Sequence, residues 1–195
     1  MSIAFPENIT FQSIPSLHIR RAFLRAYAPF ERLNGHTIVV RRLPVSSTTM
    51  RAQPIVNRNF WNRHKRHYRI DVSNHIQLEK YIPVQDLPEE VLIGWFAHEL
   101  GHILDYQDRG VMGLIRFGLG YLLMPRYRMG AERQADMYAI EHGFGSHLMA
   151  TKRYLLDHSS LPLAYKKRLQ KFYLSPDQIA EIITDRESLE KYGRR

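Results

Sequence analysis

Histidine recurs after four residues in His98-Glu99-Leu100-Gly101-His102, within a stretch whose apolar residues keep helical spacing. At 3.6 residues per turn, positions 98 and 102 share one helix face. Two imidazoles so placed can reach a single divalent metal, typically zinc. A glutamate between them can act as general base toward a metal-activated water.

The flanking residues support a helix. Val91, Leu92, Trp95, Phe96, Leu100, Ile103 and Leu104 recur at helical spacing, which predicts a helix from about Leu87 to Tyr106, ending before Arg109-Gly110. Asp86 is the expected cap, Pro88 suits the first turn, and Glu89 would close a capping box. Gly101 costs about 1 kcal/mol inside a helix, so its presence predicts a close neighbour against the backbone there.

A catalytic zinc site usually takes three protein ligands and leaves one position open. The extended histidine motif that could supply the third is missing, because Asp105 and Asp108 occupy the corresponding positions. Met129-Gly130-Ala131-Glu132-Arg133-Gln134-Ala135-Asp136 offers another route. Glu132 and Asp136 lie one turn apart on a second predicted helix that runs to about Glu141. Glu132 can bind the metal, and Asp136 can accept a hydrogen bond from a ligand histidine and fix its tautomer.

With His98-Glu99-x-x-His102 and Glu132-x-x-Ala135-Asp136 together, the chain resembles the gluzincin metallopeptidases. Its E-x-x-A-D form is most similar to the CAAX prenyl endopeptidases, the heat-shock membrane proteases and the small soluble minigluzincins. The resemblance covers roughly Tyr81 to Gly143. It implies His98, His102 and Glu132 as zinc ligands, Glu99 as general base, and Asp136 as the group orienting His98. It also implies hydrolysis of a protein or peptide substrate, and an outer sheet strand that binds the substrate backbone. Thermolysin-like enzymes stabilise the oxyanion with a histidine or tyrosine downstream of the glutamate ligand. Tyr138, His142, His147 and His158 are available here. Tyr138, two residues after Asp136, should face away, so His147 and His158 are the expected stabilisers.

Length and composition bound the rest. The 195 residues fit one domain, 1–195, large enough to bury a core. Without cysteine there are no disulfides and no thiolate zinc ligands. Met1 to Pro15 carries neither a basic n-region nor an apolar h-region, so a cytoplasmic location is the expectation. No apolar run is long enough to span a bilayer. The nearest, Val111 to Met124, is interrupted by Arg116 and is expected to form an amphipathic helix. A lesser reading sets it against a membrane, with Phe117, Tyr121, Leu122 and Leu123 beside the basic flank Arg126–Arg128.

Charge is uneven. Between Arg20 and Arg69 twelve Lys/Arg stand against one acid, Glu31, a net of +11, whereas the whole chain carries +9. The stretch Arg58–Arg69 intersperses cations with Phe60, Trp61 and Tyr68. Such a region can contact nucleic acid or an anionic membrane, or it can be a solvated loop.

Periodicity predicts an α+β fold, and the resemblance implies that it is zincin-like. A helix from Ser16 to about Ala28, capped by Ser16, precedes strands at His36–Leu43, Val45–Val56, His67–Val72 and His75–Leu78. These should form a small, mostly antiparallel sheet (about 14–80) packed on the zinc-binding helix. His67–Val72 or His75–Lys80 is the expected substrate strand. The zinc helices follow (about 87–143), and then C-terminal helices (about 146–192) at Ser146–His158, Leu161–Tyr173 and Pro176–Tyr192. The reading is a zinc endopeptidase. Two alternatives remain: a metalloprotease acting on nucleic-acid-bound proteins, and a non-catalytic zinc-binding module.

Overall fold

The structure, a computed structural model, describes residues 6–43, 48–76, 82–157 and 162–192. It opens with a four-residue strand that the sequence pattern does not announce, β1 (Ile9–Gln12). Helix α1 (Leu17–Tyr27) follows, and the Ser16 side chain caps it by accepting the Ile19 N–H at 3.4 Å. Strands β2 (Ile38–Arg42), β3 (Met50–Pro54) and β4 (Tyr68–Val72) complete a sheet of order β1-β2-β4-β3.

The sheet is mixed, not mostly antiparallel. β1 pairs parallel with β2, and β2 pairs parallel with β4; the β3–β4 pairing is antiparallel. α1 is the crossover that returns the chain so that β1 and β2 run the same way. Alternation in the sequence shows which side chains share a face, but not which strands meet. The expected strand at His75 separates from this sheet: β5 (His75–Ile76) pairs with β6 (Ile82–Pro83) as a short ladder of its own. Residues 77–81, and with them part of that expected strand, lie outside the described residues.

This topology corrects the choice of outer strand. β4, within His67–Val72, has neighbours on both sides, and His75–Ile76 stands apart from the main sheet. The sheet edge packed against the motif helix is β3. Ile38, Val40, Met50, Ala52, Tyr68, Ile70 and Val72 fill the core-facing side. The opposite face carries Arg41, Arg51 and Arg69 around the buried Asp71.

The motif helix, α2 (Glu89–Gln107), is the centre of the molecule. Every residue from Val91 to Tyr106 is buried, with α1, α4 (Pro125–Glu141), α5 (Gly145–Asp157) and β3 packed around it. A helix covered on all sides must be apolar nearly all round, and this one is, apart from the site residues, Asp105 and the glycines. Its start differs from expectation. Pro88 is the N-cap, with no side-chain cap, and Asp86 closes a separate 3-10 turn (Val84–Asp86). Its end is held by Arg66, whose Nη1 donates to Tyr106 O (2.9 Å) in the last turn and to Arg109 O (3.1 Å) just beyond the helix. Arg66 is fully buried, so this cation of the basic stretch serves the helix terminus.

Two glycines let neighbouring helices approach α2. A Cβ on Gly101 would stand 2.5 Å from Ala135 O of α4 (Pro125–Glu141). One on Gly94 would stand 2.3 Å from His147 O of α5 (Gly145–Asp157). The close neighbour predicted at Gly101 is therefore α4 itself. Between α2 and α4 lies α3 (Val111–Leu123), and after α5 come α6 (Leu163–Phe172) and α7 (Pro176–Tyr192). Ser175 and Gln178 form the reciprocal capping box expected at the start of α7. Among the described residues no helix is long and apolar enough to cross a membrane.

Candidate metal centre

The close approach at Gly101 brings α4 within reach of the two motif histidines. Glu132 Oε2 lies 3.1 Å from His98 Nε2 and 3.3 Å from His102 Nε2. One ligand atom from each of the three residues falls within 4.8 Å of the others, and all three side chains are buried. Asp136, one turn along α4, places Oδ1 2.7 Å from His98 Nδ1. A carboxylate only accepts, so Nδ1 carries a proton toward Asp136, and Nε2 is the atom turned to Glu132.

Asp136 is itself held from two other elements. Lys152 Nζ of α5 donates to Oδ1 at 3.1 Å, and the Leu174 N–H donates to Oδ2 at 3.0 Å. Glu132 has a further partner as well: the Tyr121 hydroxyl of α3 donates to its Oε1. Arg128 approaches the same oxygen at 3.9 Å. Glu99 faces the sheet edge, where its Oε2 accepts the Ala52 N–H of β3 at 2.6 Å.

Electrostatics set these groups apart from ordinary surface residues. Burial alone would lower the His98 imidazole, but its bonds to Asp136 and Glu132 push it up to about 9. Burial raises the Glu99 carboxyl, with the charge of Glu132 adding to the effect and the two histidines opposing it. Glu132 goes the other way: despite burial, the hydrogen bonds from His102 and His98 hold it well below the usual carboxylate range. Asp136 is likewise held down against burial, first by Lys152 and then by His98.

The donor set suits a divalent cation. Glu99, Glu132 and Asp136 place three carboxylates in the buried cluster, and Lys152 is the ammonium that opposes them. A cation bound here would take the place of the imidazole protons that face Glu132, with Arg128 at the rim. Two Nε2 atoms crowding one carboxylate oxygen need a proton or a cation between them. Two imidazoles and one carboxylate are three ligands with no thiolate, so a cation held there would keep coordination positions open.

The centre opens into a cavity of about 680 Å³. β3 forms one wall, α3 and α5 line others, and Tyr165, Leu169 and Tyr173 enclose it from the C-terminal side. The Tyr173 ring lies 5.5 Å from that of His98, with Lys152 Nζ 4.0 Å from its centroid. Burial, and then the charge of Glu132, raises the Tyr173 phenol well above its usual value, so it remains a proton donor.

His147 is not brought to this cavity. α5 turns Leu148, Thr151, Lys152 and Leu155 toward it, while the His147 ring packs on Phe144 at 5.7 Å. His158 lies outside the described residues. Tyr138 does not line the cavity, as expected; burial, and then the charges of Asp108 and Asp105, raise its phenol. Sequence reasoning missed Lys152, Tyr121 and Tyr173. Lys152 did leave a signal, since it follows Leu148 by four and precedes Leu155 by three, a cation on an apolar helix stripe. The tyrosines left none, because only the tertiary fold carries them to the site.

No protein-family model, no curated protein and no solved structure matches the chain.

Proposed function

We propose that the protein is a zinc-dependent endopeptidase of gluzincin type with a zincin-like fold. The observation that carries this reading is the convergence of Glu132 on both motif imidazoles, with Glu99 buried beside them at a sheet edge. His98, His102 and Glu132 would hold the metal, through the Nε2 atoms and Oε2 that already face one another. Bound there, zinc supplies a Lewis acid that polarises a carbonyl and acidifies water.

The chain's own groups supply the rest. Glu99 has one oxygen engaged by Ala52 N–H and uses Oε1 to take a proton from the attacking water and deliver it to the leaving amine. Its raised carboxyl pKa suits both directions of transfer. Asp136, anchored by Lys152 and Leu174 N–H, keeps the His98 proton on Nδ1. Tyr121 fixes the Glu132 carboxylate through Oε1. The Tyr173 hydroxyl is the donor we assign to the charge developing on the carbonyl oxygen, in place of His147. The substrate backbone would enter as an added strand along the β3 edge on either side of Ala52, whose own N–H and C=O are engaged by Glu99 and Tyr106. Apolar walls from Trp95, Leu148, Leu155 and Leu169 favour an apolar side chain in the cavity.

Incubation with an unstructured protein such as casein, with product termini read by mass spectrometry, tests the reading. Wild type should cleave with zinc and stop with a chelator. Glu99→Gln should abolish turnover, and Tyr173→Phe should lower kcat about 10²-fold with little change in KM. Full activity in Glu99→Gln would remove the proposed mechanism.

A further inference from the structure

The helix between the two ligand-bearing helices has two apolar faces, and one of them is uncovered. Leu114, Phe117 and Gly120 of α3 are buried against the core. On the other side Met112, Ile115, Leu119 and Leu122 recur at helical spacing, and Leu123 and Met124 extend the patch to the start of α4. These six side chains are between 47% and 80% exposed. A single contiguous patch of this kind marks an interaction surface, unlike scattered exposed leucines.

The patch continues across the cavity mouth. Ile115 and Leu122 line the cavity together with Val56 and Phe60, which belong to the connection between β3 and β4. Val56 is 80% exposed, and Trp61, its ring 5.9 Å from Phe60, is 74% exposed. Below the tip of α3, a second cleft of about 550 Å³ is lined by Leu123, Met124, Met129 and Phe172, with Arg126 and Lys171 at its edge.

Cations border the patch. From Arg109 to Ala131 the chain carries four arginines and no acid; Arg109 is paired with Asp105 and Arg128 reaches Glu132, which leaves Arg116 and Arg126 exposed without those partners, and from Ile55 to Arg66 it carries Arg58, Arg63, Lys65 and Arg66 and again no acid. Arg66 is buried, but Arg58, Arg63 and Lys65 are exposed. We infer that this face docks on the surface of an anionic phospholipid bilayer, with the α3 stripe and Trp61 entering the headgroup–acyl boundary and the cationic rim meeting lipid phosphates. An interfacial helix combines these features: an apolar stripe, an aromatic at the boundary, and arginines and lysines around it. A second copy of this chain is the poorer occupant, because a two-fold contact would set one cationic rim against another. The inference does not rest on the metal centre, since none of the proposed ligands belongs to the patch.

Co-sedimentation with vesicles of phosphatidylcholine alone, and of phosphatidylcholine mixed with phosphatidylglycerol, tests it. Wild type and Glu132→Ala should both pellet with the mixed vesicles, stay in the supernatant with the neutral ones, and be released by high salt. Leu119→Ser/Leu123→Ser replaces exposed side chains, so its helical circular dichroism should match wild type while its partition falls at least about tenfold. Wild type remaining in the supernatant with mixed vesicles would overturn the inference, as would a double variant that pellets like wild type. A wild-type dimer that the double variant turns to monomer, without vesicle binding, would assign the patch to a second copy and overturn it too. Loss of the metal reading alone would leave the pelleting of Glu132→Ala unchanged.

Discussion

Asp136 accepts from His98, Lys152 and the Leu174 backbone at once, so three parts of the chain converge on one buried carboxylate. Lys152 is the partner whose loss is most informative. It touches none of the proposed ligands, yet it neutralises the carboxylate that orients one of them. Lys152→Met should lower zinc affinity about 10–100-fold, read by competition with a chromogenic chelator. It should also lower stability by roughly 3 kcal/mol in urea unfolding, because Asp136 keeps its burial and loses its ammonium. Unchanged affinity in a stable variant would show that Lys152 serves packing alone. At this scale the sequence was legible where chemistry follows from spacing within one helix. His98, Glu99 and His102 are read from a four-residue interval, and Glu132 and Asp136 from another. Tyr121, Lys152 and Tyr173 join the site from separate helices, and no interval along the chain encodes that meeting.

Among the elements, the helices and three strands of the main sheet were readable, but the first strand and the pairing were not. A helix declares itself through a local period and local caps, as Ser16 and Ser175 show. β1 is four residues long, and its partner β2 begins at Ile38, beyond the whole of α1. Parallel pairing across such a crossover leaves no local signature. The outer face of the sheet also holds a charge cluster that composition presented as surplus cation. Burial would raise the Asp71 carboxyl, but Arg41 at 2.6 Å, Arg51 at 3.0 Å and Arg69 at 3.6 Å hold it below its usual value. A carboxyl with a depressed folded-state pKa stabilises above its unfolded value, about 4, and that contribution disappears as pH falls through the folded value. Urea unfolding of wild type and Asp71→Asn across acid pH should therefore show the variant less stable at neutral pH, with the gap closing below about pH 4. A gap that stays constant into acid would mean that the arginines do not hold Asp71 ionised.

For the whole molecule, the site depends on one buried helix gripped on every side. α2 presents His98, Glu99 and His102 to a cavity whose walls come from a sheet edge and four other helices. The glycines at 94 and 101 let α5 and α4 close on it, and α4 brings Glu132 to the imidazoles. The account stands on the claim that this convergence is a metal centre. Elemental analysis of purified wild type, Glu99→Gln and Glu132→Ala measures it most directly. The account predicts one zinc per chain in wild type and in Glu99→Gln, and a marked loss in Glu132→Ala. Well-folded wild type without stoichiometric metal, even after incubation with zinc, would contradict it.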